Sequence, residues 1–90
     1  MGDLDVLIVD DHGAMRTLLR TVLERAGVQQ IREAVSAEEA WLAIEDAPPS
    51  LILTDRRLPK ADGLALIARV RADRRCAHTR ILLITGHADS

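Results

Sequence analysis

Residues 6–11 read Val6-Leu7-Ile8-Val9-Asp10-Asp11, four apolar residues running without interruption into two acidic ones. An apolar run without alternation is the pattern of a strand covered on both faces, as in a parallel sheet flanked by helices. Two further runs share it: Leu51-Ile52-Leu53-Thr54, which ends at Asp55, and Ile81-Leu82-Leu83-Ile84. A fourth run, Ile31 to Val35, is broken by Arg32 and Glu33, which predicts an edge strand with one wet face.

Helical patterns fill the gaps between these runs. Met15, Leu18, Leu19, Val22, Leu23 and Ala26 recur at helical spacing before Gly27, an apolar stripe closed by a residue suited to a helix C-terminus. Ser36 followed by Glu39 has the form of a capping box, and Ala37, Ala40, Trp41 and Ile44 make a stripe that stops before Pro48-Pro49. Trp41, the only aromatic residue, is expected to pack in the core. Asp62-Gly63 precedes a third helix whose buried side draws on Leu64, Leu66, Ile67 and Val70. Four strands therefore alternate with three helices, which implies an α/β doubly wound parallel sheet with right-handed crossovers.

Ninety residues with 48% hydrophobic content suffice for one small domain, taken as residues 1–90. No apolar run reaches the roughly 18 residues of a membrane span, and Met1-Gly2-Asp3-Leu4-Asp5 lacks the features of a signal peptide. A cytoplasmic location and no membrane partner are the expectations. Cys76 is the single cysteine, expected in a loop as an ordinary thiol. Residues 1–50 hold four basic and ten acidic side chains, residues 51–90 eight and four. The basic excess around Arg69, Arg71, Arg74, Arg75 and Arg80 falls at a helix end and the loop after it, where cations suit the helix dipole. No aromatic residues interleave for base stacking, so no nucleic-acid partner is expected for this segment.

The acidic residues are the candidate site. In doubly wound sheets ligands bind outside the carboxyl ends of the strands, and Asp10, Asp11 and Asp55 all sit there. Three carboxylates in one crevice repel each other unless a cation, a proton or solvent intervenes. An oxygen donor set without His or Cys favours a hard ion, and Mg²⁺ is the natural choice. Against this stands the plainer reading that Asp10 and Asp11 cap the first helix, which leaves Asp55 unexplained. His12 and His78 lack ligand spacing and are expected to be surface residues, as is Lys60.

The run Val6 to Asp11, then Leu51-Ile52-Leu53-Thr54-Asp55-Arg56-Arg57-Leu58-Pro59 with Ala61-Asp62-Gly63, and finally Ile81 to Gly86 through Thr85, together resemble the receiver domain of two-component response regulators. The resemblance to this CheY-like family covers nearly the whole chain. It implies a flavodoxin-like sheet of order 2-1-3-4, Asp55 as the phosphoacceptor for a sensor histidine kinase or phosphotransfer protein, and Asp10, Asp11, Asp55 and the Arg57 backbone carbonyl as ligands of Mg²⁺. It further implies that the Thr85 hydroxyl contacts a phosphoryl oxygen, and that Arg57 and His87 stand where the family tunes phosphoryl lifetime. Such a module is a signalling domain and not an enzyme, at most assisting its own phosphorylation and dephosphorylation.

The family pattern also includes a fourth helix, a fifth strand ending in a lysine, and a fifth helix, for which these 90 residues hold no counterpart. The Ile81–Ile84 strand is then an apolar sheet edge and the first helix lacks a neighbour, so the chain is expected to dimerise through that edge, to exchange elements with a second copy, or to take the missing segment from another chain. The alternative function is a phosphorylation-independent binding or oligomerisation module that keeps the receiver fold. A phosphatase with an aspartate nucleophile after its first strand would call for Asp-x-Asp, and Asp10-Asp11-His12 does not supply it.

Overall fold

The computed structural model describes residues 4–58 and 61–84. Its main elements follow the apolar runs to within a residue at most ends. β1 (Asp5–Val9), α1 (Gly13–Arg25), β2 (Gln30–Ala34), α2 (Ala37–Asp46) and β3 (Leu51–Asp55) are followed by two-residue strands β4 (Arg57–Leu58) and β5 (Ala61–Asp62). Then come α3 (Gly63–Arg71), a 3-10 turn over Arg74–Cys76, and β6 (Arg80–Ile84). The large sheet is entirely parallel with order β2-β1-β3-β6. This is the expected 2-1-3-4 order once the small antiparallel β4-β5 pair, too short to leave a periodic signal, is set aside.

Two cores lie on the two faces of the sheet. Leu7, Val9, Ala34, Ile52 and Leu58 pack with Ala40 and Ile44 of α2 and with Leu66 and Val70 of α3. Val6, Ile8, Val28 and Leu53 form a smaller cluster against Leu19 and Leu23 of α1. The central strand β1 thus contributes alternate residues to both, and Val6 to Val9 are fully buried. Each such side chain contributes about 1.5–3 kcal/mol by leaving water, which makes β1 and β3 the anchor of the fold.

The local signals act as their chemistry suggests, with adjustments. Gly27 adopts φ +93° just beyond the α1 C-cap, a conformation that costs little only without a Cβ. Ser36 Oγ accepts from the Glu39 amide, but the Glu39 carboxylate reaches the Val35 amide rather than that of Ser36. Cys76 lies in the 3-10 turn between α3 and β6, as a loop residue, and its side chain is fully buried in the α2–α3 core, filling space as a small apolar group. Of the α3 residues expected inside, Leu66 and Val70 are buried, whereas Leu64 is 45% exposed because the helix turns it away from the sheet. Trp41 is half-buried, with the Arg69 guanidinium 4.0 Å above its ring, a cation–π contact.

On α1 the apolar stripe is wider than the surface that covers it. Leu19 and Leu23 meet the sheet, while Leu18 and Val22 are 56% and 55% exposed. On β6, Leu82 and Leu83 are exposed as well, and among the described residues no strand lies on that edge of the sheet.

The other edge is held by charge. Arg32 of β2 forks onto Asp5 of β1 (3.0 and 3.2 Å) and donates to the carbonyls of Ala43 and Ala47, tying two strands to the end of α2. Its neighbour Glu33 points to the opposite face, as strand alternation requires, and accepts from Arg16 and Arg20 of α1 at 3.0 and 2.6 Å. The residues that break the apolar run of β2 are therefore the ones that dock a helix on each face.

The Arg20 hydrogen bond, followed by that from Arg16, holds the Glu33 carboxyl below its ordinary value. A carboxyl depressed in the folded state stabilises the fold above its unfolded pKa, and that contribution is lost as pH falls through the folded pKa. Glu33→Gln is therefore expected to lower stability by about 1 kcal/mol or less at pH 7. In urea melts the gap from wild type should close as pH falls below about 4.3; a gap that stays constant down to pH 2 would contradict this assignment.

Candidate functional site

The pocket originates in strand register. β1 and β3 are parallel neighbours with Val9 opposite Thr54, so Asp10 and Asp55 leave the sheet at the same level. Both are buried, each with only 3% exposure, whereas Asp11 turns outward. One donor atom each from Asp10, Asp11, His12 and Asp55 can be chosen so that all lie within 4.8 Å of one another. The site stands at the N-terminus of α1, whose unpaired amides favour negative charge.

Backbone groups fix the carboxylates. Asp10 Oδ1 accepts from the His12 amide at 2.8 Å, and Asp55 Oδ1 accepts from the Arg57 amide at 3.0 Å. Each acid thus closes the turn that follows its own strand. Arg16, one turn into α1, donates to the Asp10 carbonyl at 2.8 Å while holding Glu33, which locks the β1–α1 connection to the edge strand. Thr54, fully buried, donates from its hydroxyl to the Asp55 carbonyl.

The β3–α3 connection is pinned by Gly63. Its amide donates to the Arg56 carbonyl at 2.7 Å, and a Cβ there would lie 2.5 Å from the Asp55 carbonyl oxygen and 3.0 Å from the Arg56 Cα. Only a residue without a side chain lets α3 begin this close to the acidic residue.

His12 lies on the surface as expected, and the structure adds that it reaches into the acidic cluster. Its ring is half exposed, but Nδ1 lies 3.0 Å from Asp10 Oδ1 and 3.0 Å from Asp11 Oδ1. The Asp10 hydrogen bond raises the imidazole pKa above its ordinary value, partly offset by desolvation and reinforced by the charges of Asp11, Asp10 and Asp55. Ligand spacing along the chain is a poor criterion here, because the pocket is assembled across strands; adjacency to the acidic pair at a strand end was the usable signal. Asp10 and Asp11 do not cap α1 with their side chains. His12 is the N-cap residue and its side chain makes no capping bond.

Asp10, Asp11 and Asp55 are thus brought together as expected, and Arg57 lies beside them at the start of β4. Thr85, His87 and Lys60 lie outside the described residues. His78 is exposed. Of the basic residues, Arg71 donates to the Thr79 carbonyl and Arg75 pairs with Asp73 at 2.7 Å.

The fold is a parallel doubly wound sheet with a carboxylate cluster, able to hold a cation, at the ends of adjacent central strands. The family model of the response regulator receiver domain matches residues 6–90, and the chain belongs to that family. It is 35% identical over 83 residues to chemotaxis protein CheY1 of Helicobacter pylori, a match covering 91% of this chain and 67% of that protein. Among solved structures, chemotaxis response regulator CheY4 of Vibrio cholerae superposes with a TM-score of 0.84 at 28% identity, covering 89% of this chain and 66% of that one. A response regulator receiver protein from Pseudomonas putida does so with a TM-score of 0.83 at 32% identity, covering 94% and 69%. The chain thus spans about two thirds of the length of these relatives. Family and pocket together favour a phosphoacceptor-type receiver over a phosphorylation-independent module. No helix among the described residues is long and apolar enough to cross a membrane.

Gly63→Ala is expected to cost about 1–3 kcal/mol, the range for overpacking a tight contact, because backbone rather than a flexible side chain must move. Urea denaturation of the variant reads this directly. An unchanged midpoint would show that the Asp55 connection yields freely.

Proposed function

We propose that Asp55 is the residue that accepts a phosphoryl group from a phosphohistidine of a sensor histidine kinase or phosphotransfer protein. The observation that supports this most is the meeting of Asp10, Asp11 and Asp55 at the carboxyl ends of β1 and β3 in a chain of the receiver family. A carboxylate oxygen of Asp55 attacks phosphorus, the P–N bond breaks, and the donor imidazole leaves as an aspartyl phosphate forms. Such a transfer needs alignment and charge neutralisation more than covalent assistance.

The donor set fits magnesium: buried carboxylates at adjacent strand ends, one outward carboxylate open to solvent, and no thiolate. Asp10, Asp11, Asp55 and the Arg57 backbone carbonyl would hold the ion, which supplies positive charge to the transferring phosphoryl oxygens. Thr85 would offer its hydroxyl to one of those oxygens. The Asp55 turn, closed by the Arg57 amide, keeps one carboxylate oxygen engaged and orients the other. In this reading residues 1–90 act as one cytoplasmic signalling unit that is the substrate of its kinase and turns over nothing itself.

Intact-mass spectrometry after incubation with Mg²⁺ and acetyl phosphate is the direct test, with Asp55→Asn alongside. One phosphoryl adduct in the wild type and none in the variant is the expected result. A folded wild-type sample that never gains mass would count for the phosphorylation-independent module instead.

The exposed leucines of β6, with Leu18 and Val22 on α1, support a second expectation: the 90-residue chain pairs with a second copy of itself along the Ile81–Ile84 edge. A lysine on an edge strand opposes such pairing. Leu82→Lys should therefore weaken the dimer roughly tenfold or more in sedimentation velocity; a wild-type chain that sediments as a monomer at all concentrations would refute the interface.

A further inference from the structure

We propose that His12 is a nitrogen ligand of the metal pocket and biases it toward borderline first-row divalent ions, such as Ni²⁺, Co²⁺ or Zn²⁺, in addition to Mg²⁺. The inference rests on the metal site proposed above and adds to it a ligand of different chemistry.

Geometry carries the case. Nδ1 of His12 lies 3.0 Å from Asp10 Oδ1 and 3.0 Å from Asp11 Oδ1. In an octahedral shell with bonds of about 2.1 Å, neighbouring ligand atoms are separated by about 3.0 Å and opposite ones by about 4.2 Å. Both histidine distances match neighbouring positions. The full set, with Asp55 included, spans no more than 4.8 Å, so closing on one ion asks for movements of a few tenths of an ångström. The ring is also held in place: His12 begins α1 with extended backbone (φ −93°, ψ 111°), and its amide is tied to the Asp10 carboxylate. With the side chain half exposed, an ion can enter between ring and carboxylates without unpacking the core.

Chemistry sets the consequence. Carboxylate and carbonyl oxygens suit Mg²⁺, whereas imidazole suits nickel, copper, zinc and iron, and intrinsic affinities rise across the series toward copper. Replacing one oxygen or water position by imidazole strengthens binding of those ions far more than that of Mg²⁺. The pocket therefore has a built-in difference in metal preference that depends on one residue.

The test uses the full 90-residue chain with His78→Ala and His87→Ala introduced together, which leaves His12 as the one imidazole. Pulsed EPR with substoichiometric Cu²⁺ should show imidazole ¹⁴N coupling, lost on adding His12→Gln. In parallel, calorimetric titration with Ni²⁺ should show roughly tenfold or greater weakening in His12→Gln, against about threefold or less for Mg²⁺. Coupling absent from the single-histidine protein overturns the assignment, whether or not the variant folds. So does an equal loss for both ions, which would reduce His12 to a hydrogen-bonding partner of Asp10. A protein that binds neither Ni²⁺ nor Mg²⁺ while Cu²⁺ coupling is also missing would instead remove the metal site itself.

Discussion

The pairing of β1 with β3 is the constraint on which everything else depends. Parallel neighbours in register bring Val9 opposite Thr54, and the next residue on each strand is an aspartate at nearly the same height above the sheet. Neither strand can slip without cost. A shift by one residue would turn Val6, Leu7, Ile8 and Val9 toward the wrong cores, because alternate side chains serve opposite faces. The apolar residues that make the fold stable thereby fix the separation of the acidic residues that make it functional.

Clustering those acids has a price that local structure offsets. Carboxylate oxygens brought within 4.8 Å of one another repel by roughly 3–4 kcal/mol or more at an effective dielectric of about 20. No single surface contact compensates for that, so several small ones converge: the Arg57 amide on Asp55, the His12 amide on Asp10, the N-terminus of α1, and the His12 ring between Asp10 and Asp11. Arg16 contributes from the backbone side, binding the Asp10 carbonyl rather than its carboxylate. The carboxylates are thus oriented by the turns that follow their own strands.

Elements whose signals are dense were legible in the sequence, and those that depend on tertiary neighbours were not. Val6–Val9 and Leu51–Thr54 announce buried strands by composition alone, whereas their adjacency came from resemblance to a family, since nothing in either run names its partner. Arg32 and Glu33 were read as marks of a wet edge. Their service to opposite faces, one binding Asp5 and the end of α2, the other Arg16 and Arg20, follows from alternation but requires knowing what lies on each face. The burial of Cys76 and the exposure of Leu64 were not foreseen for a related reason: a 3-10 turn and the first turn of a helix have no periodic pattern long enough to reveal the direction of a side chain. His12 was missed because a pocket built from two strands leaves no regular spacing along the chain.

The two faces of the sheet are covered unequally, and this bears on how the module would act on others. α2 and α3 share one face with a continuous core, while α1 alone covers the other and leaves Leu18 and Val22 in solvent. On that same face β6 presents Leu82, whose strand partner Leu53 belongs to the α1-side cluster. Leu18, Val22 and Leu82 therefore lie on the side where α1 also delivers His12 and Arg16 to the pocket. β6, for its part, pairs directly with β3, Ile84 opposite Asp55. Any group that covers this surface presses on the two elements that frame the acidic residues. The acidic pocket and the β6 edge are thus separated by a single strand pairing, that of β3 with β6.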